Sequence, residues 1–216
     1  MLNRKKVNKG KGKLITFEGI DGSGKSTQIR KIKTYFLQKN IKNIYFTREP
    51  GGTSFGDLAR KLLLNNSRIS PANETQILLL TACRFEHYKN FIDPHIKKKN
   101  IVISDRFEDS TYAYQCGKDK KLEKLLNYFN VNLFEKFRPD LTILLDIKPE
   151  IALKRLKNRR KNNHYDNKAL AFYKSVRRQY KKLALNNKRI KMFDGSECQN
   201  ILFDKIKNLL LNEINK

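Results

Sequence analysis

Leu14-Ile15-Thr16-Phe17-Glu18-Gly19-Ile20-Asp21-Gly22-Ser23-Gly24-Lys25-Ser26-Thr27 is the stretch on which the reading of this 216-residue chain turns. Leu14–Phe17 is a short apolar run fit for a strand, and it stops at Glu18-Gly19. Gly19–Ser26 then matches G-x-x-x-x-G-K-[ST]. From Ser26 onward, Ile29, Ile32, Tyr35 and Phe36 recur at helical spacing. A strand, a glycine loop and a helix in this order make a phosphate cradle. The glycines let successive N–H groups turn inward onto phosphate oxygens, and the helix start adds the positive end of its dipole. Lys25 then reaches the β- and γ-phosphates, and the Ser26 hydroxyl suits a Mg²⁺ ion. Motor, helicase, GTPase and kinase all remain open from this loop alone. A GTPase would add a base-reading N-K-x-D tetrapeptide, which does not occur.

The rhythm set by the first strand continues along the chain. Ile44–Thr47, Ile101–Ser104, Leu141–Ile147 and Arg189–Phe193 read as four further strands. Helices are marked by Leu58, Leu62 and Leu63, by the run from Pro71 to Tyr88, and by Pro149. Ala169, Tyr173, Val176, Tyr180 and Leu183 mark another, and Ile201–Ile214 closes the chain. Apolar strands alternating with helices predict an α/β fold: a five-stranded parallel sheet with helices on both faces. Ligands of such sheets bind outside the carboxyl ends of the strands. A basic tail over 1–12, one domain over 13–216 and a mobile segment over about 154–168 are the expected divisions.

Composition narrows the class. The chain carries a net charge of +26. Residues 1–13, 154–168 and 174–191 contribute +6, +6 and +8 of it. Such clusters suit nucleic acid, an anionic surface or small phosphorylated ligands. The longest apolar run, Ile77–Cys83, is far too short for a bilayer span. The basic N-terminus is not followed by an apolar stretch of signal-peptide length, since Leu14–Phe17 stops at Glu18. Cys83, Cys116 and Cys198 match no zinc or redox spacing. A soluble cytoplasmic protein with reduced thiols and no membrane partner is expected.

The later strand ends carry the next chemistry. Arg48-Glu49-Pro50-Gly51-Gly52-Thr53 follows the second strand. Arg48 can hold a phosphate bidentately, and Glu49 can steady Arg48 or meet the substrate. Asp105 closes the third strand, where such enzymes keep a Mg²⁺-organising carboxylate. Arg106 is a second phosphate ligand. Ser110 opens a polar run in which Thr111, Tyr114 and Gln115 share one helical face. His87, His95 and His164 are scattered, and His95 reads as structural.

These pieces, in this order, resemble thymidylate kinases, which phosphorylate dTMP with ATP. The resemblance rests on Phe17-Glu18-Gly19 with its loop, on Thr47–Thr53, on Arg84-x-x-His87, and on Asp105-Arg106 with Asp109–Gln115. Arg138-Pro139-Asp140-Leu141-Thr142 leading into Leu145-Asp146 adds to it, and it spans roughly residues 13 to 212. It implies that Gly19, Ile20, Asp21, Gly22, Ser23, Gly24, Lys25, Ser26, Thr27 and Arg155 bind ATP. Ser26 and Asp105 would hold Mg²⁺. Asp21, Arg48, Glu49, Leu80, Arg84, Arg106, Ser110, Thr111, Tyr114 and Gln115 would bind dTMP. Arg84 would hydrogen-bond the thymine, and Tyr114 would lie near the sugar. A homodimer is implied as well.

Two positions depart from the family pattern. Leu80 stands where a phenylalanine usually stacks on the base. Asn163-His164-Tyr165-Asp166 replaces the common Asp-Arg-x-Glu of the lid. The loop itself contains no arginine, so Arg159 and Arg160 of the lid are expected to supply the catalytic cation, beside Lys25, Arg48 and Asp105. A kinase for another nucleoside monophosphate, or a nucleic-acid-binding ATPase suggested by the charge, remains open at this point.

Overall fold

The computed structural model describes residues 11–65, 71–134, 137–157 and 170–214. Five strands form one parallel sheet: β1 (Lys13–Glu18), β2 (Ile44–Arg48), β3 (Ile101–Asp105), β4 (Leu141–Asp146) and β5 (Ile190–Asp194). Their order is β2-β3-β1-β4-β5. The described helices are α1 (Lys25–Gln38), α2 (Ser54–Asn65), α3 (Asn73–His87), α4 (Asp93–Lys97), α5 (Glu108–Thr111), α6 (Lys120–Phe134), α7 (Pro149–Lys157), α8 (Leu170–Asn186) and α9 (Gln199–Ile214). Single π-turns at Tyr88–Ile92 and Tyr112–Cys116 extend α3 and α5. The expected fold class is therefore the observed one.

β1 runs through the centre with unlike faces, because successive side chains alternate. Ile15 and Phe17 pack with Ile32 and Phe36 of α1 and Leu202, Ile206 and Leu210 of α9. Each such burial is worth about 1.5–3 kcal/mol. Leu14 faces Ile92, Val102 and Phe107 on the other side. Thr16 shares that side and meets Thr142 of β4 at 2.7 Å. Glu18, next in the alternation, is wholly buried there.

Register brings the strand ends together. Phe17 pairs with Asp105, and Arg48 pairs with Asp105 from the other side. The residues following β1, β2 and β3 therefore emerge side by side. The sheet continues from β1 to β4 on its other flank, so the glycine loop sits where the strand order reverses, the expected ligand position.

Four points of the sequence reading are refined. Leu58 and Leu62 do mark α2, yet both are exposed and only Leu63 is buried. The reason is that α2 packs on α3 rather than on the sheet. α6 escaped notice because Asn130 interrupts the series Leu122, Leu126, Phe134 on its buried face. Gly12, assigned to the tail, is buried, and a side chain there would collide with Ile96. The mobile segment expected over 154–168 overlaps α7 through Lys157, and the rest lies outside the described residues.

Candidate active site

The glycine loop joins β1 to α1 as the spacing predicts. Gly22 has φ +80°, and a side chain there would meet the Ala152 carbonyl at 2.5 Å, so α7 packs directly behind the loop. The Lys25 ammonium is buried and donates to the carbonyls of Gly19 at 2.9 Å and Ile20 at 3.0 Å. Burial, then the nearby Arg106, pushes its pKa down to about 8. The Ser26 hydroxyl donates to Asp105 Oδ2 at 3.0 Å. Ser26 and Asp105 thus offer hard oxygen donors at one point, a donor set that fits Mg²⁺.

Two clefts adjoin at the strand ends. One spans about 550 Å³, its opening to solvent included, and is lined by Gly22, Gly24, Lys25, Ser26, Arg48 and Asp105. The other spans about 710 Å³, counted in the same way, and is lined by Pro50, Leu63, Leu80, Cys83, Arg84, Phe107, Ser110, Thr111, Tyr114 and Gln115. Asp21, Glu49, Arg60 and Arg106 line both, so they form the shared wall. The first cleft is polar; the second is largely apolar with convergent polar groups, as small-molecule sites are.

Glu49 does not steady Arg48 as one reading of the sequence had it. It turns inward: Oε2 accepts from Arg84 Nε at 2.7 Å, and Oε1 meets His87 Nδ1 at 3.0 Å. His87 Nε2 in turn meets Thr47 Oγ1 at 2.7 Å. Gly52 is required beside this chain, since its φ is +78° and a side chain would strike His87 and Thr47. Arg48 is exposed and pairs instead with Asp57 of α2 at 3.0 Å. Arg84 is 2% exposed, and its Nη2 donates to Thr111 Oγ1 at 2.8 Å. Its Nη1 has no hydrogen-bond partner among the described residues.

Arg106 is held at both ends. Its Nη2 donates to Asp21 Oδ1 at 2.6 Å and to the Tyr114 hydroxyl at 3.3 Å. Its Nη1 donates to the carbonyl of Gly19, Ser110 Oγ and the Tyr180 hydroxyl. Burial opposes the charge on Asp21, but Arg106 and Lys25 outweigh it and hold the carboxyl below its ordinary range. Burial raises the Tyr114 phenol. Glu18, beneath Arg106, is pushed up to about 7 by burial and then by Asp109.

The remaining assignments fall as follows. Ile20 and Ser23 are buried in the loop, and Thr27 lies in the first turn of α1. Gln115 donates to Gln76 at 3.0 Å on the cleft wall. Arg155 is not on either cleft; its Nη1 donates to the Gly195 carbonyl at 2.9 Å. Arg159 and Arg160 lie outside the described residues. His95 stacks on Tyr45 with ring centroids 3.7 Å apart, a structural role as read. Arg60 was missed. It sits mid-helix with no motif around it, and only the fold carries it to the shared wall, where it donates to the Pro50 carbonyl at 3.0 Å.

Known proteins resemble this chain over most of its length. The family model described as thymidylate kinase matches residues 17–206. A thymidylate kinase of Carboxydothermus hydrogenoformans is 42% identical over 201 residues, covering 93% of this chain and 97% of the relative. One from Ligilactobacillus salivarius is 38% identical over 205 residues, covering 93% and 98%. The crystal structure of thymidylate kinase from Ehrlichia chaffeensis superposes with a TM-score of 0.71 at 29% identity, covering 93% of this chain and 99% of that one. The match runs nearly end to end. The chain belongs to the thymidylate kinase family.

Proposed function

We propose that this protein transfers the γ-phosphoryl group of ATP to dTMP, giving dTDP and ADP. The observation that carries the reading is Arg84. It is a buried cation on the apolar cleft, aimed by Glu49 and Thr111, with Nη1 left without a partner among the described residues. A buried donor of this kind is costly unless a ligand accepts from it, and a pyrimidine carbonyl suits it. Leu63, Leu80, Cys83 and Pro50 offer the base an apolar surface. Thr111, Tyr114, Gln115 and Ser110 border the nucleoside.

The acceptor's reacting atom is an ionised phosphate oxygen, so no general base is needed; alignment and charge neutralisation suffice. Arg106, Arg48 and Arg60 hold the acceptor phosphate near the shared wall. Residues Gly19 to Thr27 cradle the donor, and Lys25 takes the developing charge. Ser26 and Asp105 would hold Mg²⁺, which when bound neutralises charge on the donor phosphates. Arg159 and Arg160 supply further cations from the segment after α7, and Arg155 reaches the donor only by leaving Gly195. The free thiols Cys83, Cys116 and Cys198 fit a cytoplasmic setting. Among the described residues no helix is long and apolar enough to cross a membrane.

The test is a coupled assay of ATP and Mg²⁺ against a panel of nucleoside monophosphates. dTMP is the preferred acceptor, with dUMP distinctly poorer. A panel led by any other base overturns the assignment.

The proposal includes a homodimer. Phe55, Leu58 and Leu62 recur on one face of α2 and are exposed, with Leu78 exposed on the adjoining α3. Exposed apolar groups gathered in this way mark an association surface. Leu62→Glu is expected to convert dimers to monomers in sedimentation velocity at micromolar concentration. An unchanged sedimentation coefficient would remove α2 from the interface.

A further inference from the structure

We infer that Tyr180 is a positioning residue for the acceptor-binding arginine: with Ser110, and anchored on Glu18, it fixes the Arg106 guanidinium at the wall between the two clefts. The inference rests on the functional reading above for what Arg106 binds, but the seat itself is a matter of geometry.

The Arg106 backbone has φ +73°, a conformation that a long side chain adopts only when its surroundings impose it. Those surroundings are unusually complete. The backbone N–H donates to the Phe17 carbonyl at 3.0 Å, and Ser104 Oγ donates to the Arg106 carbonyl at 2.7 Å. At the side chain, Nη1 faces Gly19 O at 3.0 Å, Ser110 Oγ at 2.8 Å and the Tyr180 hydroxyl at 3.1 Å.

The two hydroxyls accept from Arg106 because their own hydrogens are committed elsewhere. Ser110 Oγ donates to Glu18 Oε2 at 2.5 Å, and the Tyr180 hydroxyl donates to the same oxygen at 2.9 Å. The two oxygens also lie 2.8 Å apart, so each hydrogen is taken up by Glu18 or by the other hydroxyl, and each oxygen keeps a lone pair for the guanidinium. Glu18 Oε1 is fixed independently by the Phe107 N–H at 2.7 Å. Glu18 is too deep to touch either cleft and lines neither. Its work is therefore on its neighbours: it sets the direction of two hydroxyls, and they set Arg106.

Tyr180 comes from α8, far along the chain from Glu18 and Arg106. Its ring packs with Tyr173, Val176 and Leu144 and meets the Tyr114 ring edge-on, with centroids 6.3 Å apart, so the helix delivers the hydroxyl to Nη1. Removing that hydroxyl alone takes one of three acceptors from Nη1 and loosens its seat while leaving the ring in its packing.

The test is Tyr180→Phe, which keeps the ring. Steady-state kinetics use the monophosphate that the parent enzyme turns over best, so a wrong base assignment shows in the parent's panel and not in the variant's ratio. A hydrogen bond to a charged group predicts a rise in acceptor KM of about 10-fold or more, with KM for ATP unchanged and kcat moved far less. The same change made in an Arg106→Ala background should have no further effect on acceptor KM, since the group being positioned is gone. An acceptor KM unchanged in Tyr180→Phe overturns the inference while leaving the functional reading intact. Equal rises in both backgrounds overturn it too, by showing a role that does not pass through Arg106. A parent that phosphorylates no monophosphate sinks the functional reading, and this inference with it.

Discussion

Lys25→Ala lowers kcat by about 10³-fold, the loss expected when a donor aimed at developing phosphoryl charge is removed, and it leaves the fold standing. The second half of that expectation follows from how Lys25 is held. It is a buried ammonium with its pKa pushed down to about 8, first by burial and then by Arg106. Its folded environment already penalises the charge, so deleting the charge relieves a cost as it removes two hydrogen bonds to Gly19 and Ile20 carbonyls. The Gly19 carbonyl still accepts from Arg106. Initial rates at saturating ATP and dTMP, together with a thermal melt, check both halves. Turnover within tenfold of the parent would remove Lys25 from the chemistry.

Arg84→Ala is expected to have a double effect. On the proposed role the donor to the base is gone, and kcat/KM for dTMP falls by at least about 10²-fold. Folding suffers because Glu49, itself buried, loses its cation; breaking a buried pair in this way costs about 3–5 kcal/mol. The two effects separate in a second variant. Adding Glu49→Gln to Arg84→Ala removes the stranded charge and keeps an acceptor for His87, so the urea midpoint recovers while dTMP turnover does not. Recovery of turnover in the double variant would reduce Arg84 to a structural role.

What the sequence disclosed and what it withheld divide along physical lines. The phosphate loop, Asp105 and Arg106 were legible because each lies at the end of an apolar strand, where local order alone assigns its place. The assignment of Arg84 to the base came from the resemblance, and the structure adds Glu49 and Thr111 as the groups that hold its side chain. Arg60 was silent because its position is made by tertiary packing of α2. Tyr180 was legible only as one apolar tooth in a helical repeat; nothing in the spacing says that its hydroxyl meets Glu18 and Arg106. Glu49 read as steadying Arg48 or meeting a ligand, and its protein partners, Arg84 and His87, come from α3, which strand-end order does not reveal. Leu58 and Leu62 announced a helix correctly but not that their face would stay uncovered.

The two faces of β1 have a consequence for how this sequence can drift. Odd positions Ile15 and Phe17 sit among aliphatic and aromatic neighbours from α1 and α9, where a hydrophobe of similar volume costs little. Even positions run from Leu14 through Thr16 to Glu18, from an oily neighbourhood to one made of hydroxyls and a guanidinium. Substitution along this one strand is therefore governed by parity: interchangeable volumes on one side, and on the other a graded sequence of chemistries in which each step toward the loop leaves fewer acceptable residues.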